Sequence, residues 1–141
     1  MTSGRGTSAV PGRMLAVEPG GLTQGVGLRL SARLADEELR VLWTREMIFG
    51  SYRPAWTSIK LDDGSYVDAI TFVADPLRAQ YQSDATISVV SPIIGAASGP
   101  FGSNAEYVFN LRTALARSGL FDAYIESLAA ELDLRANASV P

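Results

Sequence analysis

The sequence contains neither cysteine nor histidine among its 141 residues. Their absence excludes disulfides, thiol nucleophiles, Ser-His-Asp triads and zinc sites that use cysteine or histidine ligands. Acid–base chemistry must therefore use a carboxylate, a tyrosine, the single lysine Lys60 or a group of the substrate. Composition leaves a carboxylate metal site open, although no EF-hand ladder of Asp, Asn and Gly is present and no residue is singled out as a metal ligand.

Long apolar runs and an excess of basic charge are also missing. No run approaches the roughly 20 apolar residues that span a bilayer, so no membrane partner is expected. The net charge is −3 and the pI about 4.9, which argues against a nucleic-acid surface because such a surface needs a basic patch. Residues 1–11 lack the apolar core of a signal peptide, so we expect a cytoplasmic location.

What is present suits one globular domain. The chain is 47% hydrophobic and 19% charged, which is enough to bury a core. We therefore predict a single domain over residues 1–141. Residues 1–13, rich in Gly, Ser, Thr and Pro, are expected to be irregular, and residues 135–141 to form a frayed tail.

Hydrophobic periodicity and turn residues predict the elements of the first half of the chain. They are strands at 14–17 and 23–30, a helix at 34–47, and two strands at 56–61 and 66–74 joined by the hairpin turn Asp62-Asp63-Gly64. The apolar stretch 87–97 is ambiguous. Because it contains Pro92, we expect a helix to begin near Ser91 and not to run straight through.

Two helix starts are predicted in the second half. Ser103 and Glu106 fit a capping box that opens a helix through about Ser118. Asp122 is expected to cap a last helix through Leu134. The inward side chains of that helix should be Ile125, Leu128, Ala129 and Leu132. The order of strands, helix, hairpin and helices indicates an α+β fold.

One carboxylate does not fit the polar surface of the predicted helix 34–47. On a wheel of about 100° per residue, Glu46 lies within the apolar arc, in line with Leu39, Leu42 and Trp43. On one interpretation, Glu46 marks the point where the helix leaves the core, or pairs with an arginine such as Arg53. On the other, it is a partly desolvated base lining a pocket, since burial raises the pKa of a carboxylate. The pattern alone does not choose between them.

Several short motifs occur in the order typical of one family. The central ones are Trp43-Thr44-Arg45-Glu46-Met47 and Gly50-Ser51-Tyr52-Arg53-Pro54. Others are Arg5-Gly6-Thr7, Pro11-Gly12, Glu18-Pro19-Gly20-Gly21, Gly25-Val26, Phe72-Val73-Ala74, Gln80-Tyr81, Gly99-Pro100, Gly102-Ser103-Asn104-Ala105-Glu106-Tyr107 and Asp122-Ala123-Tyr124. Together they cover nearly the whole chain, which resembles the ChaC-type, glutathione-specific γ-glutamylcyclotransferases.

The resemblance implies a γ-glutamylcyclotransferase-like fold, with a mixed β-barrel or sheet and flanking helices, and a cofactor-independent reaction on glutathione. In that reaction, the free amine of the γ-glutamyl residue attacks its own side-chain amide, so that 5-oxoproline forms and Cys-Gly leaves. The nucleophile belongs to the substrate, which suits a chain without cysteine or histidine. Glu46 matches the family's base.

Three further residues lie in the shared motifs and are candidate substrate-binding residues: Tyr52, Asn104 and Tyr107. Each has a structural alternative. Asn104 can serve in helix capping beside Ser103, and both tyrosines can be core rings with a hydrogen-bonded hydroxyl. The wheel places Glu37 on the polar face of its helix, as a solvated charge.

The resemblance breaks at one motif. Family members usually begin with a strand and a Tyr-Gly-Ser-Leu loop whose N–H groups bind the γ-glutamyl end of the substrate, and this sequence has no such motif. We therefore expect an N-terminally truncated fold. Three explanations stay open: a misassigned start, which we favour, a decayed inactive copy, or another chain that fills the gap.

Two further expectations follow from these departures. The apolar stretch 87–97 replaces a more charged helix of the family, and it is either a buried element or a contact surface that favours self-association. The alternative to an enzyme is a catalytically inactive homologue or interaction module of the same fold. Cyclisation of other γ-glutamyl amines is a third, weaker option.

Overall fold

The structure is a computed structural model that describes residues 4–138. In chain order its elements are α1 (Ala35–Met47), β1 (Tyr52–Lys60), β2 (Tyr66–Ala74), α2 (Ile87–Ala96), β3 (Ser98–Gly99), β4 (Gly102–Ser103), α3 (Asn104–Arg117) and α4 (Ala123–Ala138). They form two compact units. The helical unit contains the residues up to Leu15 and those from Ser83 onward, and the hairpin unit contains Ala16–Gln82. The single domain expected over residues 1–141 stays a prediction.

The predicted hairpin is confirmed. β1 and β2 pair antiparallel, in a register that runs from Tyr52 opposite Ala74 to Lys60 opposite Tyr66. Gly64 has a φ of +84°, which is accessible to glycine without the steric cost of a Cβ. The Asp63 carboxylate accepts hydrogen bonds from the Ser65 hydroxyl at 2.6 Å and the Ser65 N–H at 2.8 Å. These two bonds hold the pKa of Asp63 below its usual value and close the turn.

β1 begins four residues before the predicted strand and includes Pro54. A proline has no N–H to donate to a ladder, so proline within sheets is confined to edges, strand starts and bulges. Pro54 lies opposite Phe72, and β1 pairs with no strand other than β2 among residues 4–138, so its second edge is free there. The missing donor is therefore tolerated, and the strand extends back to Tyr52.

The strands predicted at 14–17 and 23–30 are wrong. In the first segment only Val17 forms a bridge, parallel to Val73, with the Ala74 N–H donating to the Val17 carbonyl at 2.7 Å. The second has no strand, and its Val26 and Leu28 are 70% and 87% exposed. Alternating hydrophobicity stabilises a strand only when a partner ladder and a packed face are available. Neither exists for 23–30 among residues 4–138.

The α+β class is confirmed, while the barrel-like sheet is not. In the part of the chain that the structure describes, the strands form two separate antiparallel pairs, β1 with β2 and β3 with β4. The second pair has two residues in each strand.

The helix predicted over 34–47 is confirmed as α1. Its first turn carries Asp36, Glu37 and Glu38, which complement the positive end of the helix dipole. The half-buried side chains are those of the predicted arc, namely Ala35, Leu39, Leu42, Glu46 and Met47. Trp43 is an exception at 44% exposed, although its ring meets Phe72 edge-on at 6.2 Å between centroids.

The core of the helical unit lies among α2, α3 and α4. Its buried cluster consists of Val90, Ile94, Val108, Leu128, Ala129 and Leu132. The four residues predicted to face inward on the last helix are all buried. Both predicted caps are also present. The Ser103 hydroxyl accepts from the Glu106 N–H at 3.1 Å, and the Asp122 carboxylate accepts from the Tyr124 and Ile125 N–H groups at 3.0 Å each.

α2 corrects the expectation for residues 87–97, because the helix runs straight through Pro92. A proline inside a helix removes one hydrogen bond and costs about 3 kcal/mol. Pro92 itself is exposed, whereas its helix buries Val90, Ser91 and Ile94. Burial of this face against α3 and α4 outweighs the local cost. The stretch is thus a buried element on the side of Val90, Ser91 and Ile94, and the contact surface stays a prediction.

The ends of the chain match the sequence expectations in part. Residues 4–13 contain neither helix nor strand, as predicted for 1–13, and residues 1–3 lie outside the described part. The frayed tail predicted for 135–141 is wrong for its first four residues, because α4 continues to Ala138. Its remaining residues, 139–141, lie outside the described part.

Glycines allow the N-terminal segment to lie directly against the β3–β4 pair. The Phe101 N–H donates to the Gly4 carbonyl at 2.9 Å. A Cβ added at Gly99 would stand 2.5 Å from the Gly4 carbonyl oxygen and 2.6 Å from the Gly6 nitrogen. The backbone at Gly99 therefore packs directly on the backbone of Gly4 and Gly6, and a Cβ at position 99 would not fit between them.

Candidate active site

Glu46 lies in the last turn of α1, with its side chain 22% exposed. Its Oε1 accepts from Arg45 Nε at 2.7 Å, and Arg45 Nη2 lies 2.7 Å from the same oxygen. The pairing with Arg53 considered from the sequence is not formed. Arg53 lies instead 3.8 Å from Asp75. The structure therefore places this carboxylate on the less exposed face, as the wheel predicts, with an adjacent residue as its partner.

The Arg45–Glu46 ion pair is exposed on its arginine side. Neighbours in sequence do not face each other on a helix, so the Arg45 side chain must turn back along the surface to reach Glu46. Arg45 is 72% exposed, and exposed ion pairs contribute little because water and salt screen them. Arg45 therefore holds Glu46 only weakly.

A tight connection joins Glu46 to the start of β1. Gly50 has a φ of +60°, the left-handed conformation that commonly ends a helix. Ser51 follows, and its carbonyl accepts from the Asp75 N–H at 3.0 Å, while its hydroxyl oxygen is enclosed and has no hydrogen-bond partner among residues 4–138. Tyr52 then begins β1 and is half-buried. Tyr52 thus lies six positions after Glu46, in the same unit.

Asp75 is a buried acid that sequence reasoning did not single out. It is 6% exposed, and its carboxylate lies 3.1 Å from Arg78 Nε and 3.8 Å from Arg53 Nε. The Leu77 N–H also donates to it at 3.2 Å. With two guanidinium groups beside it, Asp75 fixes the end of β2. Its position directly after a predicted strand was the signal in the sequence.

The hairpin unit also joins two of the shared motifs. The Tyr81 hydroxyl donates to Glu18 Oε2 at 2.6 Å. This hydrogen bond raises the pKa of Tyr81, because the neutral hydroxyl is the donor and a second negative charge beside Glu18 is disfavoured. The contact ties the Glu18-Pro19-Gly20-Gly21 segment to the loop after β2.

Asn104, at the start of α3, forms two hydrogen bonds with the main chain of the N-terminal segment. It is fully buried. Its Oδ1 accepts from the Arg13 N–H at 2.6 Å, and its Nδ2 donates to the Arg13 carbonyl at 2.7 Å. The capping role considered from the sequence belongs to Ser103 instead. The amide of Asn104 holds a segment 91 positions away in sequence.

Tyr107 lies one turn further along α3. Its ring packs against the buried cluster, and its hydroxyl accepts from the Leu15 N–H at 3.3 Å. Burial raises the pKa of Tyr107, although the hydrogen bond from Leu15 and the charge of Arg5 oppose the shift. The structural alternative left open by the sequence, a core ring with a hydrogen-bonded hydroxyl, describes this position.

Two arginines flank these contacts in the helical unit. Arg5 Nη1 lies 2.7 Å from Glu106 Oε2 and donates to the Ser103 carbonyl at 3.3 Å. Arg13 Nε is enclosed and has no hydrogen-bond partner among residues 4–138. Sequence analysis missed Arg13, since nothing in its local pattern distinguishes it from a surface arginine.

The predicted site residues divide between the two units. Glu46 and Tyr52 belong to the hairpin unit, and Asn104 and Tyr107 to the helical unit. Glu37 is exposed, as predicted. Over residues 4–138, no three or more acidic side chains gather in a way that would hold a metal ion. Within the same range, every helix is too short or too polar to cross a membrane.

The fold has a counterpart among solved structures. A crystal structure of a γ-glutamyl cyclotransferase specific to glutathione from yeast superimposes with a TM-score of 0.71. The superposition covers 95% of this chain and 82% of the yeast chain, and the two sequences are 18% identical. This likeness shows a fold of the γ-glutamyl cyclotransferase class.

The family follows from the sequence comparisons. The family described as ChaC-like protein matches residues 1–135. The glutathione-specific gamma-glutamylcyclotransferase of Escherichia coli (strain K12) is 49% identical over 122 residues, which is 86% of this chain and 53% of that protein. The mouse glutathione-specific gamma-glutamylcyclotransferase 1 is 29% identical over 111 residues, or 76% of this chain and 50% of that protein. This chain belongs to the ChaC-like family, and it spans about half the length of these curated relatives.

Proposed function

We propose that the chain is a γ-glutamylcyclotransferase that cleaves glutathione to 5-oxoproline and Cys-Gly. The observation that carries the proposal is the half-buried carboxylate of Glu46 on α1, whose ion-pair partner among residues 4–138 is the exposed neighbouring Arg45. Support comes from the family match over residues 1–135 and from the name of the E. coli relative.

The proposed reaction requires one base and no cofactor. The α-ammonium group of the γ-glutamyl residue loses a proton to Glu46, and its nitrogen then forms a bond to the side-chain amide carbon. The bond from that carbon to the cysteine nitrogen breaks as Glu46 returns the proton to the leaving nitrogen. The lactam nitrogen loses its second proton, and the freed amine of Cys-Gly takes one up to become an ammonium group. The products are the lactam 5-oxoproline and Cys-Gly, and the two protons lost by the α-ammonium equal the two gained by the leaving amine.

The local geometry of Glu46 suits this role. The incoming ammonium is a cation, so it can take the place of Arg45 at Oε1. Partial burial strengthens the attraction between the ammonium and the carboxylate relative to water. Holding the amine against its own amide makes the attack intramolecular, which removes much of the entropic barrier.

The other predicted site residues keep their places in the proposal as substrate-binding residues. Tyr52 begins β1 in the same unit as Glu46. Asn104 and Tyr107 each already hold main-chain groups of the N-terminal segment. They stay proposed substrate-binding residues of the helical unit.

A second candidate is a catalytically inactive homologue or interaction module of the same fold. It is favoured by one observation, which is that the given sequence contains no Tyr-Gly-Ser-Leu motif. Loss of one oxyanion donor typically costs on the order of a hundredfold in rate or more.

A cytoplasmic location and self-association stay predictions. A single monomeric species across micromolar concentrations in analytical ultracentrifugation would contradict self-association.

The deciding experiment measures 5-oxoproline release from glutathione by the purified chain and two matched variants. Glu46→Gln removes the base without changing the size of the side chain, so kcat should fall by about a hundredfold to ten-thousandfold. Glu37→Gln makes the same change on the exposed face of α1 and should leave kcat unchanged. Equal activity in all three proteins would refute the role of Glu46. A folded but inactive parent chain would favour the second candidate.

A further inference from the structure

Arg13 is an arginine whose charge the described residues do not neutralise. Its Nε is enclosed and has no hydrogen-bond partner, and the side chain as a whole is half-buried. None of the ion pairs found among residues 4–138 includes it. Burial of a cation costs free energy of desolvation. Because an arginine stays protonated in proteins, Arg13 cannot avoid this cost by losing a proton. A buried polar group without a partner calls for an explanation, and a bound ion or ligand group is one of them.

A comparison with Arg5 shows what Arg13 lacks. The Arg5 side chain is 19% exposed, and it has the Glu106 carboxylate at 2.7 Å and the Ser103 carbonyl at 3.3 Å. Arg13 has a weaker neighbour in Asp84, whose pKa its positive charge helps to lower. The Asp84 carboxylate accepts instead from the Thr86 N–H at 2.9 Å, and this bond is the main reason that the pKa of Asp84 is lowered. Asp84 therefore attracts Arg13 without binding it.

The main chain of Arg13 is held unusually firmly. Asn104, fully buried, binds both its N–H at 2.6 Å and its carbonyl at 2.7 Å. Two residues later, the Leu15 N–H is bound by the Tyr107 hydroxyl at 3.3 Å. Asn104 and Tyr107, both on α3, thus fix the backbone from which the Arg13 side chain extends. A charged donor on a fixed backbone is preorganised, so a ligand binds it with little further loss of entropy.

We propose that Arg13 is a substrate-binding residue that takes a carboxylate. The guanidinium fork matches a carboxylate in shape and charge and binds it through parallel hydrogen bonds. Glutathione carries two carboxylates, one on its γ-glutamyl residue and one on its glycine, so the inference rests on the proposed function. Because Nε is enclosed, the terminal nitrogens of Arg13 make the first contact.

Binding is measured separately from turnover. Glutathione is titrated calorimetrically into the Glu46→Gln chain, in which turnover should be abolished, and into the same chain with Arg13→Gln or Arg13→Lys. We expect Kd to rise at least about tenfold with Arg13→Gln, since charge-assisted hydrogen bonds are lost. Arg13→Lys keeps the charge but not the fork, and should bind with an intermediate Kd. Arg117→Gln, an exposed arginine at the end of α3, is the charge control and should bind as the Glu46→Gln chain does.

The glycine ethyl ester of glutathione tells the two carboxylates apart. If Arg13 binds the glycine carboxylate, the ester binds weakly to the chain with Arg13 intact, and Arg13→Gln causes no further loss. If it binds the γ-glutamyl carboxylate, the ester binds normally and still loses affinity in Arg13→Gln. If Arg13→Gln does not fold, two measurements remain. The Arg13→Lys variant tests whether the guanidinium fork binds glutathione, and the ester tests which carboxylate the chain with Arg13 intact requires.

The outcomes separate this inference from the proposed function. An equal Kd for Arg13→Gln and its parent, or an equal loss in Arg117→Gln, overturns the inference while turnover by the unmodified chain still supports the function. Binding that depends on Arg13 without any turnover refutes the function alone. No binding of glutathione by the chain with Arg13 intact overturns the inference.

Discussion

At the residue scale, Tyr107 links burial to the behaviour of the protein at alkaline pH. Burial raises the pKa of Tyr107 above its usual value of 10.0. Above about pH 10 the unfolded chain loses this proton while the folded chain keeps it, so the free energy of unfolding falls as pH rises toward the folded-state pKa. Below pH 10 both states are protonated, and the group adds no pH dependence.

Tyr107→Phe removes this titration, so its stability should decline less steeply above about pH 10 than that of the parent. The measurement is urea unfolding followed by circular dichroism at a series of pH values. Tyr66→Phe is the control, because Tyr66 is 66% exposed and its loss should leave the slope unchanged. An identical alkaline slope in Tyr107→Phe and the parent would contradict the prediction.

Single residues were predictable where their position depends on local periodicity. The wheel placed Glu46 on the less exposed face of α1, since that face is set by a repeat of 3.6 residues within one helix. The clamp of Asn104 on Arg13 was not predictable, because its partners lie 91 positions apart and share no periodic pattern. The same holds for the pairing of Tyr81 with Glu18, 63 positions apart.

At the element scale, α3 depends on its N-cap. The Ser103 hydroxyl accepts from the Glu106 N–H at 3.1 Å, which satisfies one of the unpaired donors of the first turn. Ser103→Ala should lower the free energy of unfolding by about 1 kcal/mol. Ser118→Ala, at the other end of the same helix, removes an exposed hydroxyl and should change it by less than about 0.5 kcal/mol. Equal losses in urea unfolding would show that the cap contributes nothing specific.

Elements with local stop and start signals were predicted well, and those that depend on distant partners were not. α1, α3 and α4 have their own caps or acidic first turns, and the hairpin has its own turn. The stretch 23–30 has the period of a strand but lacks a partner among residues 4–138. α2 shows the reverse case, in which packing of a buried face overrides an internal proline.

At the scale of the whole molecule, the two units offer a test of the predicted single domain. Both tryptophans, Trp43 and Trp56, belong to the hairpin unit, whereas the core residue Leu128 belongs to the helical unit. Tryptophan fluorescence therefore reports on one unit while circular dichroism mainly reports on the helices of the other. A single cooperative domain gives coincident transitions by the two probes.

Leu128→Ala should destabilise the helical core by about 2–5 kcal/mol, because it leaves a cavity at a fully enclosed position. If the chain is one domain, the fluorescence midpoint in urea should fall together with the midpoint by circular dichroism. Leu134→Ala, at a leucine that is 66% exposed on the same helix, should move neither midpoint appreciably. A fluorescence transition that stays in place while the helices melt earlier would show two independent domains.

The backbone contact between Gly99 and the N-terminal segment has a genetic consequence. Every amino acid other than glycine places a carbon where Gly99 meets the Gly4 carbonyl, so each missense change in that codon meets the same obstacle whatever its chemistry. Conservative and radical replacements should be selected against alike. In a saturation survey, position 99 should therefore accept only synonymous changes, while exposed positions such as Leu28 should drift freely.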